Sequence, residues 1–275
     1  MASSTVIGLV VHRYRDDAVA LGEAVSSWAR TRGLEVVDLE GADPVPDLVV
    51  SIGGDGTMLR AVRALRGEPV PIIGVNMGSL GYLADVEADS AIGAIDTWLS
   101  GSPDNACRVE DRMLLDVSVD DASGGPFSAL ALNEVVLEKR DAGHTVHLAV
   151  EIDGAPFTTY AADGLIIATP TGSTAYSLSA RGPVVSPRLR AILVTPVSPH
   201  MLFDRSLVLD PGEAVRIEVL DNRAATVSLD GVSLCTLDTG GVVTVAASDK
   251  TARFVRFGAA RFHEVLKSKF GLADR

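Results

Sequence analysis

Val49–Leu59 reads VVSIGGDGTML, a short apolar run that stops at three glycines set around one aspartate, just before a helical pattern begins. Leu48–Ile52 is rich in β-branched residues and reads as a buried strand, while Met58, Val62 and Leu65 recur at the spacing of one helical face. The join is therefore strand, glycine turn, helix. Gly53, Gly54 and Gly56 can take backbone angles closed to other residues and, lacking side chains, let a ligand approach the main chain. The unpaired N–H groups of a helix start, with the positive end of the helix dipole behind them, suit a phosphate, so Gly53, Gly54, Gly56 and Thr57 are the expected phosphate-binding residues. Asp55 is out of place beside an anion. Its carboxylate points to a proton, a metal ion or a hydroxyl group to be oriented.

Asp-Gly is also a strong hairpin signal, but the residues that follow are helical in period and not alternating. The loop lacks the Gly-Lys-Ser/Thr of a Walker turn and the spaced glycines of a dinucleotide fingerprint. Upstream, Thr5–Val11 reads as a strand, Asp16 and Asp17 head a helix that Gly33 stops, and Leu34–Val37 reads as a second strand. Downstream, Pro71–Asn76 is another apolar strand, running into a second glycine-rich loop, NMGSLGYLAD, and Ala91–Leu99 is a helix that ends at GSPD. Alternation of strand and helix implies parallel strands covered on both faces, with ligands at the carboxyl ends of the strands, where both glycine loops lie.

From Cys107 the period changes to two. MLLDVSVD, FSALALNEVVLEK and TVHLAVEIDG alternate, and at least five short strands follow between Leu207 and Phe257. One strand, inside DGLIIATPTGSTAYSLSARGPVV, runs into a Gly/Thr/Ser turn and a short helix. A last helix after Phe257 carries Phe262, Val265, Leu266 and Phe270 on one face. The expected architecture is an N-terminal doubly wound α/β domain, residues 1–102 with 258–275, and a C-terminal β-rich domain, residues 103–257.

The 275 residues hold ample core, and 47% apolar content excludes disorder as the main state. A net charge of −12 argues against a nucleic-acid binder, which gains from counterion release at a basic surface. Cys107 and Cys235 offer neither metal spacing nor a disulfide framework, which suits a reducing compartment. The first residues lack a basic region before a short apolar run, and no segment reaches membrane length; a cytoplasmic protein without a membrane partner is expected.

Asn133 and Glu134 interrupt an apolar strand. Neighbours in a strand face opposite sides, so both serve one ligand only at an edge, a bulge or a cleft, where Glu134 accepting twice and Asn133 accepting and donating would suit a ribose diol. A solvent-facing Glu beside a buried Asn fits the pattern equally well. Thr169–Tyr176 places five hydroxyl side chains around Gly172, offering donors to a phosphate or heterocycle, with Tyr176 able to stack on a base. It does not read as the strained elbow of a serine nucleophile. His144 and His200, seen singly, suit surface or structural roles, and Asp163 before Gly164 suits a turn.

The ordered set GGDGTML, LNEVVLE, DGLIIATPTGSTAYSLSARGP, TPVSPH and SLDG resembles the bacterial NAD kinase family over most of Val49–Gly231. Lipid kinases and phosphofructokinases share the glycine turn but not the Asp163–Pro183 stretch. The resemblance implies ATP-dependent phosphorylation of the 2′-hydroxyl of the adenosine ribose of NAD, Asp55 as the catalytic acceptor, and a homodimer or homotetramer. It places Asp55, Gly56, Arg60, Asn133, Glu134, His144, Asp163, Thr174, Ala175, Tyr176, Ser177, Leu178 and Ser179 on the dinucleotide. Mg²⁺ is expected, carried mainly by substrate phosphates, since no dedicated ligand set is visible. A lipid kinase built on the same turn and a non-catalytic NAD(H) sensor are the alternatives. Ala161, Arg181 and Val232 depart from the family pattern, where arginine, glycine and glutamine are common.

Overall fold

The computed structural model describes residues 5–41, 45–78, 81–101, 107–120, 125–220, 223–258 and 262–272. In chain order the elements are β1 (Val6–Val11), α1 (Asp16–Thr31), β2 (Glu35–Asp38), β3 (Leu48–Gly53), α2 (Asp55–Leu65), β4 (Pro71–Asn76), β5 (Val86–Glu87), α3 (Ala91–Leu99), β6 (Cys107–Asp120), β7 (Phe127–Ala131), β8 (Glu134–Lys139), β9 (Val146–Ile152), β10 (Ala155–Ala162), β11 (Gly164–Ala168), α4 (Tyr176–Ser179), β12 (Ile192–Val197), β13 (Leu207–Leu209), β14 (Val215–Leu220), β15 (Ala225–Leu229), β16 (Val232–Leu237), β17 (Val242–Phe257) and α5 (Phe262–Lys269). The chain forms two compact units, Met1–Asp111 with Ala252–Arg275, and Arg112–Thr251. The unit limits fall inside the long strands β6 and β17; the expected boundary at residue 102 and two members of the second glycine loop, Ser79 and Leu80, lie outside the described residues.

In the first unit β1 pairs in parallel with β2 and β3, β3 with β4, and β4 with β17 residues 253–255. Leu48, Val50, Ile52, Ile73 and Val75 are buried in one core with Ala18, Val25 and Ala29 of α1, and Met58, Val62 and Leu65 form the buried face of α2. From β1 the chain moves outward to β2 and then returns to β3 on the other side. That reversal makes the carboxyl ends of β1 and β3 a topological switch point, where an open α/β sheet leaves a crevice for a ligand. Main-chain bonds gather the strand ends there: the N–H groups of His12 and Met77 donate to Ile52 O and Gly53 O, each at 2.9 Å.

In the second unit β9 pairs antiparallel with β10 and β14, and β14 with β17. A six-stranded sheet runs β13-β12-β11-β8-β15-β16. Alternate residues of both sheets, among them Val135, Leu137, Leu165, Ile167, Leu148, Val150, Ile217 and Val245, share one apolar core. The intervening residues of β8 and β11, Val136, Ile166 and Ala168, form a second cluster capped by Tyr176, Ala180 and Val185. The helical excursion after β11 thus covers the other face of the sheet, which is why LIIA is apolar throughout instead of alternating. The expected continuous strand FSALALNEVVLEK is corrected: it breaks at Leu132–Asn133 into β7 and β8.

Candidate active site

At the switch point of the first unit lies a cavity of about 500 Å³ lined by His12–Arg15, Gly53, Gly54, Gly56, Thr57, Arg60 and Asn76–Gly78. The freedom of angle open to these glycines is not used. Gly54 is extended (φ −128°, ψ −164°), and none of Gly53, Gly54 and Gly56 has a positive φ. Space is what they supply. A Cβ at Gly53 would lie 2.1 Å from Thr57 Oγ1, whereas one at Gly54 or Gly56 meets nothing within 4 Å, so the main chain is open to a ligand there. Thr57 is buried, and its hydroxyl has no hydrogen-bond partner among the described residues. Arg13, Arg15 and Arg60 surround the opening. Arg60 reaches Glu40 through two bonds of 2.6 and 2.9 Å and Val11 O at 3.2 Å; the Glu40 contact, ahead of burial, raises its pKa and lowers that of Glu40.

Asp55 opens α2. Its Oδ2 accepts the Tyr82 N–H and its Oδ1 the Leu83 N–H, both at 3.0 Å. Each carboxylate oxygen keeps acceptor capacity beyond that one bond.

In the second unit Asp230, on the turn between β15 and β16, holds the break that separates β7 from β8. Its carboxylate accepts the N–H groups of Leu132 at 2.9 Å, Asn133 at 2.7 Å and Glu134 at 3.1 Å. Thr169 fastens the neighbouring turn, donating through Oγ1 to Leu132 O at 2.6 Å and accepting from the Gly172 N–H at 3.1 Å. Glu134 is 5% exposed, and its Oε2 has no partner among the described residues. Burial first, then the charge of Asp230, pushes its pKa up to about 8, against a smaller opposing effect of the Tyr176 N–H. Both causes favour the protonated carboxyl, which donates once besides accepting, whereas the twofold acceptor expected from the sequence is the ionised side chain.

Residues 39–102 match the ATP-NAD kinase N-terminal domain, and residues 132–257 the ATP-NAD kinase C-terminal domain. The chain is 37% identical to the NAD kinase of Syntrophotalea carbinolica, over 98% of this chain and 99% of the relative. The chain belongs to the ATP-NAD kinase family. The NAD kinase of Mycolicibacterium paratuberculosis is 39% identical, over 95% of this chain and 82% of the relative. Among solved structures, yeast NADH kinase complexed with NADH superposes with a TM-score of 0.88 at 22% identity, covering 100% of this chain and 89% of that one. An NAD kinase from Archaeoglobus fulgidus in complex with ATP gives 0.71 at 25% identity, covering 98% of each.

Of the residues that the family resemblance marks in the first unit, Gly56 and Arg60 line the cavity together with Gly53, Gly54 and Thr57, while Asp55 is not part of its lining and turns to the Tyr82 and Leu83 N–H groups. In the second unit Asn133, Glu134 and the start of the Thr174–Ser179 segment meet at one end of the six-stranded sheet, where Ala168 pairs with Glu134. Asp163 and exposed His144 lie toward the other end of β8, roughly 16 Å away at the rise of a strand. Lys139 Nζ binds Asp163 Oδ1 at 2.5 Å. Tyr176 sends its hydroxyl along the sheet to Glu138 Oε1 at 2.6 Å, which raises its pKa to about 12. Ser177 is buried against Thr195, its Oγ 3.2 Å from Thr195 Oγ1, and holds the turn together; Ser179 is exposed. Thr174 Oγ1 donates back to Thr171 O at 3.3 Å, Ala175 precedes α4 and Leu178 is half-buried. Sequence reading assigned no role to Asp230, although SLDG already carried the signal of an aspartate before a glycine of positive φ, Gly231 at +77°.

Proposed function

We propose that this NAD kinase transfers the γ-phosphoryl group of ATP to the 2′-hydroxyl of the adenosine ribose of NAD, with Asp55 as the acceptor of that hydroxyl's proton. The observation that carries the reading is the Asp55 carboxylate, fixed by two main-chain N–H groups at the start of the helix that follows the glycine turn. Phosphoryl transfer leaves little covalent work to the protein, so positioning, charge neutralisation and a proton acceptor are the contributions to look for. The open main chain at Gly54 and Gly56, with Thr57, receives phosphate oxygens, and Arg13, Arg15 and Arg60 balance their charge. Glu134 and Asn133 take the ribose hydroxyls of the dinucleotide, and the Thr174–Ser179 segment flanks the base.

A divalent cation such as Mg²⁺ is the family's usual companion of ATP. No group of three His, Cys, Asp or Glu side chains that could hold a metal ion occurs among the described residues, and the ion would be carried mainly by the substrate phosphates, where it would supply charge neutralisation. No helix among the described residues is long and apolar enough to cross a membrane. The chain works as a homodimer or homotetramer, with Asp163 and His144, remote from Glu134 on β8, serving a neighbouring copy.

The test is incubation of purified protein with ATP, Mg²⁺ and NAD, with product read by an NADP-dependent dehydrogenase. Asp55→Asn is expected to bind NAD within a few fold of wild type and to lose on the order of 100-fold in turnover, the scale of general-base help. Wild-type turnover in that variant would remove Asp55 from the chemistry.

A further inference from the structure

The first unit contains a buried cation that the reaction scheme leaves without a task. Arg256, near the end of β17, has a side chain only 8% exposed. Its Nη1 donates to Leu83 O at 2.6 Å and its Nη2 to Tyr82 O at 3.4 Å. These two residues are the ones whose N–H groups hold Asp55. The peptide joining Tyr82 to Leu83 therefore has its oxygen on the guanidinium and its N–H on Asp55 Oδ1. One planar amide links the two side chains.

We propose that Arg256 is a positioning residue for phosphoryl transfer, holding the Tyr82–Leu83 main chain so that its N–H groups fix the Asp55 carboxylate in one orientation. The proposal rests on the reading of Asp55 as the proton acceptor. The planar fork of arginine meets two carbonyls at once, which the single ammonium of lysine does not reproduce at the same reach. A cation on the carbonyl oxygen also polarises the peptide and strengthens its N–H as a donor, the cooperative behaviour of chained hydrogen bonds.

The surroundings keep the fork in place. Asp85 Oδ2 and Glu110 Oε1 lie 3.6 and 3.8 Å from the guanidinium nitrogens, and the Phe254 ring centroid 5.4 Å from its central carbon. The neighbours Arg253–Val255 are locked into the parallel ladder with Pro71–Ile73. On the other side, a Cβ at Gly81 would come within 2.2 Å of Asp55 Oδ1, so the loop approaches the carboxylate as closely as a main chain without a side chain permits. A carboxylate gripped from a rigid strand keeps its aim within the narrow tolerance that proton acceptance requires.

The experiment compares Arg256→Met, Arg256→Lys, Asp55→Asn and the double variant Asp55→Asn/Arg256→Met in steady-state kinetics with NAD and ATP. Arg256→Met is expected to lose tenfold or more in kcat with both KM values within about threefold. Arg256→Lys, which keeps the charge and loses the fork, is expected to lose threefold or more. The double variant should turn over no more slowly than Asp55→Asn alone, because an arginine that acts through Asp55 has nothing left to position. Wild-type kcat in Arg256→Met overturns the proposal while leaving Asp55 in its role, and so does a double variant in which the two losses multiply. If Arg256→Met does not fold, a folded Arg256→Lys with wild-type kcat overturns it equally. Wild-type turnover of Asp55→Asn instead overturns the Asp55 reading, and the positioning role with it.

Discussion

Replacing Glu134 by glutamine tests the charge state of the Asn133–Glu134 end of the six-stranded sheet. In the folded protein Glu134 titrates at about 8 instead of about 4.5, because burial and Asp230 both oppose its anion. Between those two pH values the folded chain holds a proton that the unfolded chain has released, so stability is fully present below about pH 4.5 and drains away as pH rises through about 8. At about 1.4 kcal/mol per pH unit the loss of stability amounts to about 5 kcal/mol. Glutamine matches the shape of the protonated side chain and does not titrate. Thermal unfolding of wild type and Glu134→Gln, followed from pH 5 to pH 9, should therefore diverge with rising pH, the variant gaining on wild type by up to about 10–20 °C at pH 9. Asp230→Asn should shift the wild-type transition to lower pH by removing the repelling charge, at a cost of about 1–3 kcal/mol for its weakened bonds to three N–H groups. Parallel curves for wild type and Glu134→Gln across the whole range would refute the reasoning, since no proton would then be linked to this side chain.

Three further substitutions probe the backbone. Arg181 is exposed and sits at φ +65°, a left-handed angle that costs an L-residue about 1–2 kcal/mol, so Arg181→Gly should stabilise by about 0.5–1 kcal/mol and raise the melting temperature by about 1–4 °C. Gly53→Ala should destabilise by about 1–3 kcal/mol through its clash with Thr57, measured by denaturant unfolding, while Gly54→Ala should keep its stability and raise KM for ATP by narrowing the open main chain.

The short-range features of this protein were legible in its residues. The apolar run at Leu48–Ile52, the helical period from Met58 to Leu65 and the glycine turn between them are set by neighbours a few positions apart, and they put that turn at the carboxyl end of β3; the crevice between the ends of β1 and β3 follows from the strand pairing. Period two after Cys107 likewise marks the β-rich half. What the residues in order do not encode locally is which distant group meets which. Asp230 reaches across 96 to 98 positions to break the strand at Leu132–Glu134. Arg256 reaches across 173 to grip Leu83, and through that loop Asp55. The raised pKa of Glu134 has the same origin. Its burial requires the β8 strand end to be covered after folding, and its repulsion requires a carboxylate delivered by another hairpin. A side chain's ionisation and aim depend on the dielectric and the partners that packing brings to it, and those exist only once the tertiary structure has formed.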